Sequence, residues 1–312
     1  MKLFLGIDGG QSSTTALIGD ETGRVVGYGR GGPCNHVKGP EGRPKFINAI
    51  TGCVKQAGAD PADVEFESAS FGFSGGAADK EAILHEILRA RRMTVTDDGV
   101  IALAGAMAGG PGIITVAGTG SIAYGRNAER RLQRAGGWGY IYGDEGGGFD
   151  LTRQAVRAAL RYEEGWGPAT DLRRLLLEET GAADANDLLH RFYTTDYSRP
   201  QIASYSRLVD RAAQAGDAVA HGLLMNAAQQ LVTYATAVRR QLFETRGPVQ
   251  VACIGGVFRS GPIQERFRML MELEDGARVI EPIYGPAGGA LLEAYAAAGL
   301  NPKISNLPEF EK

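Results

Sequence analysis

Residues 3–28, which read LFLGIDGGQSSTTALIGDETGRVVGY, contain the pattern that decides the fold. Leu3–Ile7 and Thr14–Ile18 are apolar runs of strand length, and a glycine-rich turn lies between them. Arg24–Tyr28 follows a second turn and reads as a third strand. The sequence therefore predicts a meander of three strands. Its first turn, at Asp8–Ser13, is rich in glycine and in hydroxyl groups.

The same order of elements occurs again after Pro111-Gly112. Ile113–Ala117 and Ser121–Tyr124 read as strands on either side of the turn Gly118–Gly120. A repeat of domain size, in which strand meanders precede helix–strand units, indicates α/β layers built from two similar halves. Two similar halves also suggest a cleft between them in which a ligand would lie.

The proposed boundary divides the chain into domains at 1–111 and 112–312, the second with a helical insertion. A final helix at 287–299 is predicted, and it is left open whether this helix packs back on the first domain. Other predicted helices are Lys80–Arg91, Val100–Ala108 and Ile202–Ala213. The small residues of Val100–Ala108 predict close packing against another element.

Composition restricts the class of partner. The 312 residues carry a formal net charge of -3, so the chain lacks the broad positive field that favours nucleic acid. The start at Met1–Leu5 enters a strand pattern directly, without the features of a signal peptide, and no apolar run is long enough to span a membrane. The cysteines, Cys34, Cys53 and Cys253, form no metal-ligand spacing. These features predict a cytoplasmic protein.

Both glycine turns have the chemistry of a phosphate site. Successive backbone N–H groups in such a turn form a concavity that binds anions, and hydroxyl groups add donors. The first turn offers Gly9, Gly10, Gln11, Ser12, Ser13 and Thr14, and the second offers Gly118, Thr119, Gly120 and Ser121. Asp8 would repel a phosphate, so its expected role is to hold Mg²⁺ through water. Neither turn continues as Gly-Lys-Ser/Thr, so neither is a Walker-type loop.

Two further glycine clusters predict binding sites for a sugar and for a planar base or ribose. Gly136–Gly148 is the densest run, and Trp138 within it offers a flat ring to the face of a sugar. Asp144 in the same run is an acceptor for sugar hydroxyl groups or for a metal shell. Val249–Ile254 reads as a strand that ends at Gly255-Gly256, which leaves room for a planar base or a ribose.

Together these motifs resemble the N-acetylglucosamine kinase branch of the BadF/BadG/BcrA/BcrD ATPase family, within the sugar kinase–Hsp70–actin superfamily. The resemblance runs from Gly6 to about Ala297, and its most specific part is Gly-Gly-Trp-Gly-x3-Gly-Asp-Glu-Gly at Gly136–Gly146. It implies two actin-like (ribonuclease H-like) α/β domains with ATP and Mg²⁺ as cofactors. It also implies a homodimeric carbohydrate kinase that phosphorylates N-acetylglucosamine or a related amino sugar at the 6-position.

The resemblance assigns roles to individual residues. The sugar site is expected to contain Asn35, His36, Asp98, Thr119, Gly137, Trp138, Gly139 and Asp144. The nucleotide site is expected to include Ala213, Gly255, Gly256 and Ser260 in addition to the two turns. The family's catalytic aspartate opens a helix in the pattern Asp-x3-Ala-Leu/Ile-Ala, which fits Asp98–Ala104. Asp98 is therefore the expected base, and the adjacent Asp97 stays an alternative.

Some features depart from the family pattern. Gly147 stands where serine is frequent, and Asp150 stands where an aromatic residue is frequent. The cysteines do not fit the pattern of iron–sulfur members, which counts against the branch that activates dehydratases. An ATPase of that activator type and a non-catalytic sugar sensor nevertheless stay open as alternatives. The choice among N-acetylglucosamine, glucosamine, N-acetylmuramic acid and glucose is also open, as is the hydroxyl group that receives the phosphate.

Overall fold

The computed structural model describes residues 1–34, 37, 39–76, 79–194 and 197–311. Its strands are β1 Leu3–Gly9, β2 Thr14–Asp20, β3 Val25–Gly31, β4 Glu65–Phe66, β5 Ser68–Phe73, β6 Arg89–Ala90, β7 Met93–Asp97, β8 Gly112–Ala117, β9 Ser121–Arg126, β10 Leu132–Gly136, β11 Val249–Ile254 and β12 Ala277–Ile280. Its α-helices are α1 Gly42–Gln56, α2 Glu81–Ile87, α3 Asp98–Ala106, α4 Gly148–Glu163, α5 Leu172–Thr180, α6 Ala185–Tyr193, α7 Arg199–Ser204, α8 Arg207–Gln214, α9 Ala218–Leu242, α10 Gly261–Glu272 and α11 Pro286–Ala297. None of the described helices has both the length and the apolarity needed to cross a bilayer.

The chain divides into two compact units. Unit 1 is Met1–Pro111 with Glu281–Lys312, and unit 2 is Gly112–Ile280. The segment from Glu281 onward thus belongs to unit 1 together with residues 1–111. The reason is burial, because Leu291 and Tyr295 of α11 lie in one apolar cluster with Phe4 of β1.

In the described part of unit 1, the main sheet has the order β3-β2-β1-β5-β7. β1 pairs antiparallel with β2 and parallel with β5, and β5 pairs parallel with β7. Side chains alternate across a strand, so Leu5 and Ile7 pack on the α1 side while Phe4 packs on α11. Helices on both faces explain why β1 reads as an unbroken apolar run.

Close packing of α3, predicted from its small residues, is confirmed, and its partner is α11. A Cβ atom at Gly289 would lie 1.9 Å from the carbonyl oxygen of Ile101. A Cβ atom at Gly105 would lie 2.4 Å from the carbonyl oxygen of Gly285. Only glycine permits this approach of the two helices.

Unit 2 repeats the arrangement of unit 1. Its sheet has the order β10-β9-β8-β11-β12 among the described residues, with an antiparallel meander followed by parallel strands. The helices α4 to α10 belong to this unit, and the 25-residue α9 packs on β9 and β10. The predicted repeat of the strand meander is therefore confirmed.

Two predicted helices differ from the observed ones. The helix predicted at Lys80–Arg91 ends at Ile87, because Leu88 is extended (φ -136°, ψ 143°) and the next two residues pair with β4 as β6. The helix predicted at Ile202–Ala213 is broken into α7 and α8. Tyr205 and Leu208 are buried on either side of this break. The apolar periodicity of the sequence therefore continues from α7 into α8 and gives no sign of the break.

Candidate active site

In unit 1, polar side chains meet at the carboxyl ends of the parallel strands β1, β5 and β7. Gly9 pairs with Phe73, and Phe73 pairs with Asp97, so these three strands end at the same level. Ser74, which follows β5, donates its N–H to the carbonyl oxygen of Gly9 at 3.1 Å. The carboxyl edge of such a sheet is where α/β proteins bind ligands.

Asp98 lies at this edge as the first residue of α3. The hydroxyl of Ser74 donates to its Oδ2 at 2.6 Å. Asp97 is the N-cap of the same helix, yet its side chain accepts no capping hydrogen bond. The two adjacent acids thus differ in setting, and Ser74, which the sequence analysis did not select, orients Asp98.

Asp8 has an unusual electrostatic environment. Burial, together with the negative charges of Glu311 and Asp98, raises its pKa from 3.8 to about 7. Glu311 is buried, accepts the N–H of Gly288 at 3.0 Å at the start of α11, and has a pKa raised by burial. No sequence pattern pointed to Glu311, because it is 303 positions away from Asp8 in the chain.

The first glycine turn closes β1 and β2 as a hairpin. The N–H of Gly10 donates to the carbonyl oxygen of Ser13 at 2.9 Å, and the side chains of Gln11 and Ser12 are exposed. Thr14 is fully buried, and its hydroxyl donates to the carbonyl oxygen of Gly32 at 2.7 Å. The exposed part of the turn is therefore Gln11 and Ser12. The predicted sugar residues Asn35 and His36 lie outside the described residues.

In unit 2, the second turn is held by the start of α4. The N–H of Gly148 donates to the carbonyl oxygen of Gly118 at 2.8 Å, and the N–H of Phe149 donates to that of Thr119 at 3.0 Å. The hydroxyl of Ser121 donates to the carbonyl oxygen of Glu145 at 2.6 Å. Two motifs that are separate in the sequence are thus adjacent in the unit.

The carboxylate of Asp144 lies at the contact between the second turn and the glycine run. Asp144 is 6% exposed and has a positive φ of 64°. A Cβ atom at Gly120 would lie 2.3 Å from its Oδ2. The carboxylate expected to bind a sugar therefore lies directly against the turn expected to bind phosphate, and glycine at 120 makes room for it.

The remaining residues of the glycine run differ in exposure. Trp138, between Gly137 and Gly139, is 70% exposed, and the guanidinium of Arg134 lies 5.5 Å from its ring. Glu145 accepts a hydrogen bond from the hydroxyl of Tyr234 on α9. Burial raises the pKa of this tyrosine. The ring of Trp138 is thus open to a ligand, whereas Glu145 is engaged within the unit.

A cavity of about 500 Å³ begins at the second turn. Gly118, Thr119, Gly256 and Ser260 line it, so it brings together four residues predicted to bind nucleotide. Gly255 has a positive φ of 112°, and a Cβ atom there would lie 2.3 Å from the carbonyl oxygen of Ala117. The backbone after β11 therefore lies so close to the end of β8 that only glycine fits at position 255.

Asp210 also lines this cavity and was missed by the sequence analysis. Its Oδ1 accepts the hydroxyl of Ser260 at 2.6 Å, and its Oδ2 accepts the amide of Gln214 at 2.9 Å. Ala213, the predicted nucleotide residue on the same helix, packs against the apolar core of the unit instead of lining the cavity. A lone aspartate within a helical segment gives no signal of such a role.

Comparison with known proteins agrees with these features. The sequence signature of the BadF/BadG/BcrA/BcrD ATPase family matches residues 5–294. The N-acetylmuramic acid/N-acetylglucosamine kinase of Clostridium acetobutylicum is 32% identical over 88% of this chain and 91% of its own. The N-acetyl-D-glucosamine kinase of Dictyostelium discoideum is 28% identical over 94% of this chain and 98% of its own.

Solved structures show the same architecture. A protein of Chromobacterium violaceum assigned as an N-acetylglucosamine kinase superposes with a TM-score of 0.74, at 26% identity over 94% of this chain and 98% of its own. A ROK family glucokinase of Streptomyces griseus superposes with a TM-score of 0.54 at 18% identity, over 95% and 99% of the two chains. The second likeness concerns the fold alone. The chain belongs to the BadF/BadG/BcrA/BcrD ATPase family, and its two units have the actin-like α/β fold of sugar kinases.

Proposed function

We propose that this protein transfers the γ-phosphate of ATP to the 6-hydroxyl of N-acetylglucosamine or a closely related amino sugar. The protein is an ATP-dependent carbohydrate kinase by its family and its relatives. The observation that carries the finer assignment is the contact between Asp144 and Gly120. It joins an acceptor for sugar hydroxyl groups to a turn suited to phosphate.

The adenosine of ATP is assigned to the cavity beside the second turn. Its volume of about 500 Å³ is within the range of pockets that enclose small ligands. Gly256 leaves its backbone open to a planar group, since nothing lies within 4 Å of the Cβ position there. Asp210, held by Ser260 and Gln214, is an acceptor for ribose hydroxyl groups. The phosphates are assigned to the glycine turns at residues 9–14 and 118–121.

Asp98 is the proposed general base. Ser74 occupies Oδ2, which leaves Oδ1 to accept the proton of the attacking hydroxyl group. As that proton moves to Asp98, the sugar oxygen forms a bond to the γ-phosphorus and the bond to the β-phosphate oxygen breaks, which releases ADP. Trp138 would face the sugar ring, and Asp144 would fix its hydroxyl groups. Asn35 and His36 keep their proposed roles in the sugar site.

Mg²⁺ is proposed to bind through Asp8. No group of three or more His, Cys, Asp or Glu side chains in the described parts of the chain forms a complete metal site. Mg²⁺ prefers one or two carboxylates, with phosphates and water as its other ligands. The negative charges around Asp8 fit a cation at this position. When bound, Mg²⁺ would neutralise the charge on the phosphates.

The test is the release of ADP by the purified protein with and without a panel of sugars. N-acetylglucosamine, glucosamine, N-acetylmuramic acid and glucose are compared at equal concentration. We expect release to depend on an amino sugar, and NMR of the product should show phosphate on the 6-oxygen. Release that is independent of sugar would instead indicate an activator ATPase, and sugar binding without ADP would indicate a sensor. We also propose that the protein is a cytoplasmic homodimer, which light scattering and cell fractionation would test.

A further inference from the structure

Unit 2 contains a second and larger cavity, of about 760 Å³. It lies between the glycine run and the helices α4, α6 and α7. Tyr140 and Ile141, from the part of the run between Trp138 and Asp144, form one wall. None of the described residues assigned above to the sugar, the nucleotide or the metal lines this cavity.

Aromatic side chains line much of this cavity. Tyr140 meets the ring of Phe149 edge-on, with 5.0 Å between ring centroids. Phe192 meets Tyr197 in the same way at 5.8 Å. Tyr193 also lines the cavity and is 84% exposed, so its ring is available to a ligand. Such a wall suits a flat ring or the face of a sugar.

The described part of the cavity lining is also cationic. Among the described residues that line it, Arg153, Arg157 and Arg199 are basic and none is acidic. Asp150 pairs with Arg153 at 2.6 Å, whereas Arg199 lies 5.1 Å over the ring of Tyr140. Arg157 is exposed and makes no ion pair with a described residue. Two guanidinium groups therefore remain for an anion, and arginine binds phosphate in a fixed, bidentate geometry.

We propose that this cavity is a second ligand site, which binds a small ring compound carrying a phosphate monoester. The ring lies on the aromatic wall, and the phosphate lies between Arg157 and Arg199. A sugar phosphate and a nucleoside monophosphate share this chemistry. Binding at this site needs no turnover of the kinase, and the choice of blocking ligands in its test rests on the function proposed above.

The structure also connects this cavity to the glycine run Gly136–Gly148. This run contains Trp138 and Asp144 and is called the sugar loop below. Arg153 donates to the carbonyl oxygen of Tyr140 at 3.1 Å. Its ion-pair partner, Asp150, accepts the N–H of Gly146 at 3.1 Å. The cavity wall thus holds the glycine run on both sides of Asp144. A ligand that contacts Tyr140 should change the surroundings of Trp138, two residues away, so the site is placed to regulate the sugar loop.

Calorimetric titration of the full chain tests the binding. The probes are N-acetylglucosamine 6-phosphate, AMP and inorganic phosphate, each added while N-acetylglucosamine and a non-hydrolysable ATP analogue are saturating. We expect Arg157→Gln to weaken binding of one ring-bearing probe by about tenfold or more, because one charge-assisted contact is lost. Arg240→Gln, at an exposed arginine on α9 away from the cavity, should leave Kd unchanged, and both variants should keep normal kcat.

Three outcomes would overturn the proposal. They are no heat from any probe at millimolar concentration, equal weakening by Arg157→Gln and Arg240→Gln, and binding of inorganic phosphate as tight as that of the ring compounds. If light scattering shows instead that Arg157→Gln separates a dimer, the surface is a subunit contact and the ligand site is rejected.

Fluorescence tests the connection to the loop. The chain has two tryptophans, so Trp166→Phe leaves Trp138 as the only one. The probe that binds should change the emission of Trp138 in this variant, with the same dependence on concentration as the heat signal. The change should disappear when Arg157→Gln is added. Binding without any change in emission would show that the cavity does not regulate the loop.

Discussion

Asp97 and Asp98 are adjacent, yet their side chains differ in hydrogen bonding. Ser74 donates to Asp98 and fixes the direction of its carboxylate. Asp97 precedes the helix and caps nothing with its side chain. The difference lies in one hydrogen bond from a residue 24 positions away.

The first prediction concerns this pair. Asp98→Asn should fold and bind sugar, but kcat should fall by about 10² to 10⁴-fold, because an amide cannot accept the proton of the hydroxyl group. Asp97→Asn is the matched control, and its kcat should stay within about threefold of the parent. Steady-state kinetics and thermal melts of both variants decide the matter. If Asp97→Asn is the inactive one, the base has been assigned to the wrong residue.

The second prediction concerns Asp8 and pH. The pKa of Asp8 in the folded protein is about 7, above the ordinary 3.8. Between about pH 4 and pH 7, Asp8 is therefore protonated in the folded protein but ionised in the unfolded chain. The free energy of unfolding should therefore fall as pH rises from about 4 to about 7. Without Mg²⁺ at about pH 8, Asp8→Asn should be more stable than the parent by on the order of 1 kcal/mol.

Melting curves at about pH 5 and pH 8 measure this effect. Near pH 5 the advantage of Asp8→Asn should be small, because Asp8 is then protonated in the folded state. Added Mg²⁺ at the higher pH should raise the Tm of the parent but not of the variant. Parallel pH curves for the two proteins would contradict the raised pKa of Asp8.

At the scale of elements, the second turn and the glycine run form one structure. A methyl group at residue 120 would meet the carboxylate of Asp144, which is the end of a side chain and not backbone. A methyl group at residue 118 meets nothing within 4 Å. Two glycines of one turn thus have different neighbours, and this provides a matched pair of variants.

We predict that Gly120→Ala displaces Asp144 and raises KM for the sugar about tenfold or more, with little change in the Tm. Gly118→Ala should instead raise KM for ATP, because its methyl group enters the space assigned to phosphate. Initial rates with each substrate varied in turn separate the two effects. Identical kinetic changes in both variants would argue against separate roles for Gly118 and Gly120.

The packing of α11 on α3 supports a fourth prediction. Gly289→Ala should destabilise the protein by about 3 kcal/mol or more, since the methyl group meets backbone atoms that cannot move aside. Gly52→Ala, in α1 of the same unit, meets nothing within 4 Å and should stabilise by about 0.5–1 kcal/mol. Urea unfolding of both variants is the measurement. Equal stability of the two would show that the helices can separate without cost.

At the scale of the whole molecule, unit 1 is built from two segments that are separated in the chain. Unit 2 is inserted into unit 1, whose last segment returns after residue 280. The return is extensive, because Ile304 is buried, Ser305 bridges to Arg24, and Asn306 donates to the carbonyl oxygen of Val25 at 2.8 Å. Unit 1 is therefore incomplete without the end of the chain.

Fragments test this organisation. Residues 112–280 have their own core and should unfold cooperatively as a separate protein. Residues 1–111 alone should not, because the side chains that cover Phe4 and Leu17 come from α11 and Ile304. Joining 1–111 to 281–312 by a flexible glycine–serine linker should restore a cooperative transition. Circular dichroism on heating is the measurement, and a cooperative melt of 1–111 alone would contradict the assignment of α11 to unit 1.

Much of the fold could be predicted because the signals are local. The two meanders and their glycine turns are read from alternation and turn residues within short segments. The glycine–tryptophan run and its relation to a kinase family are likewise local patterns. Where local signals were ambiguous, as at α7 and α8, the prediction was wrong, because buried residues continue across the break.

The sequence by itself determined the α/β class, the repeated meander and the family, since each depends on residues that are close together in the chain. Only the tertiary structure decided that Asp144 lies against Gly120, that Ser74 and Glu311 accompany Asp98 and Asp8, and that Asp210 lines the cavity. These are contacts between distant residues, and a single sequence contains no pattern that pairs them. Packing of the strands and helices brings them together, and the chemistry of the site depends on that packing.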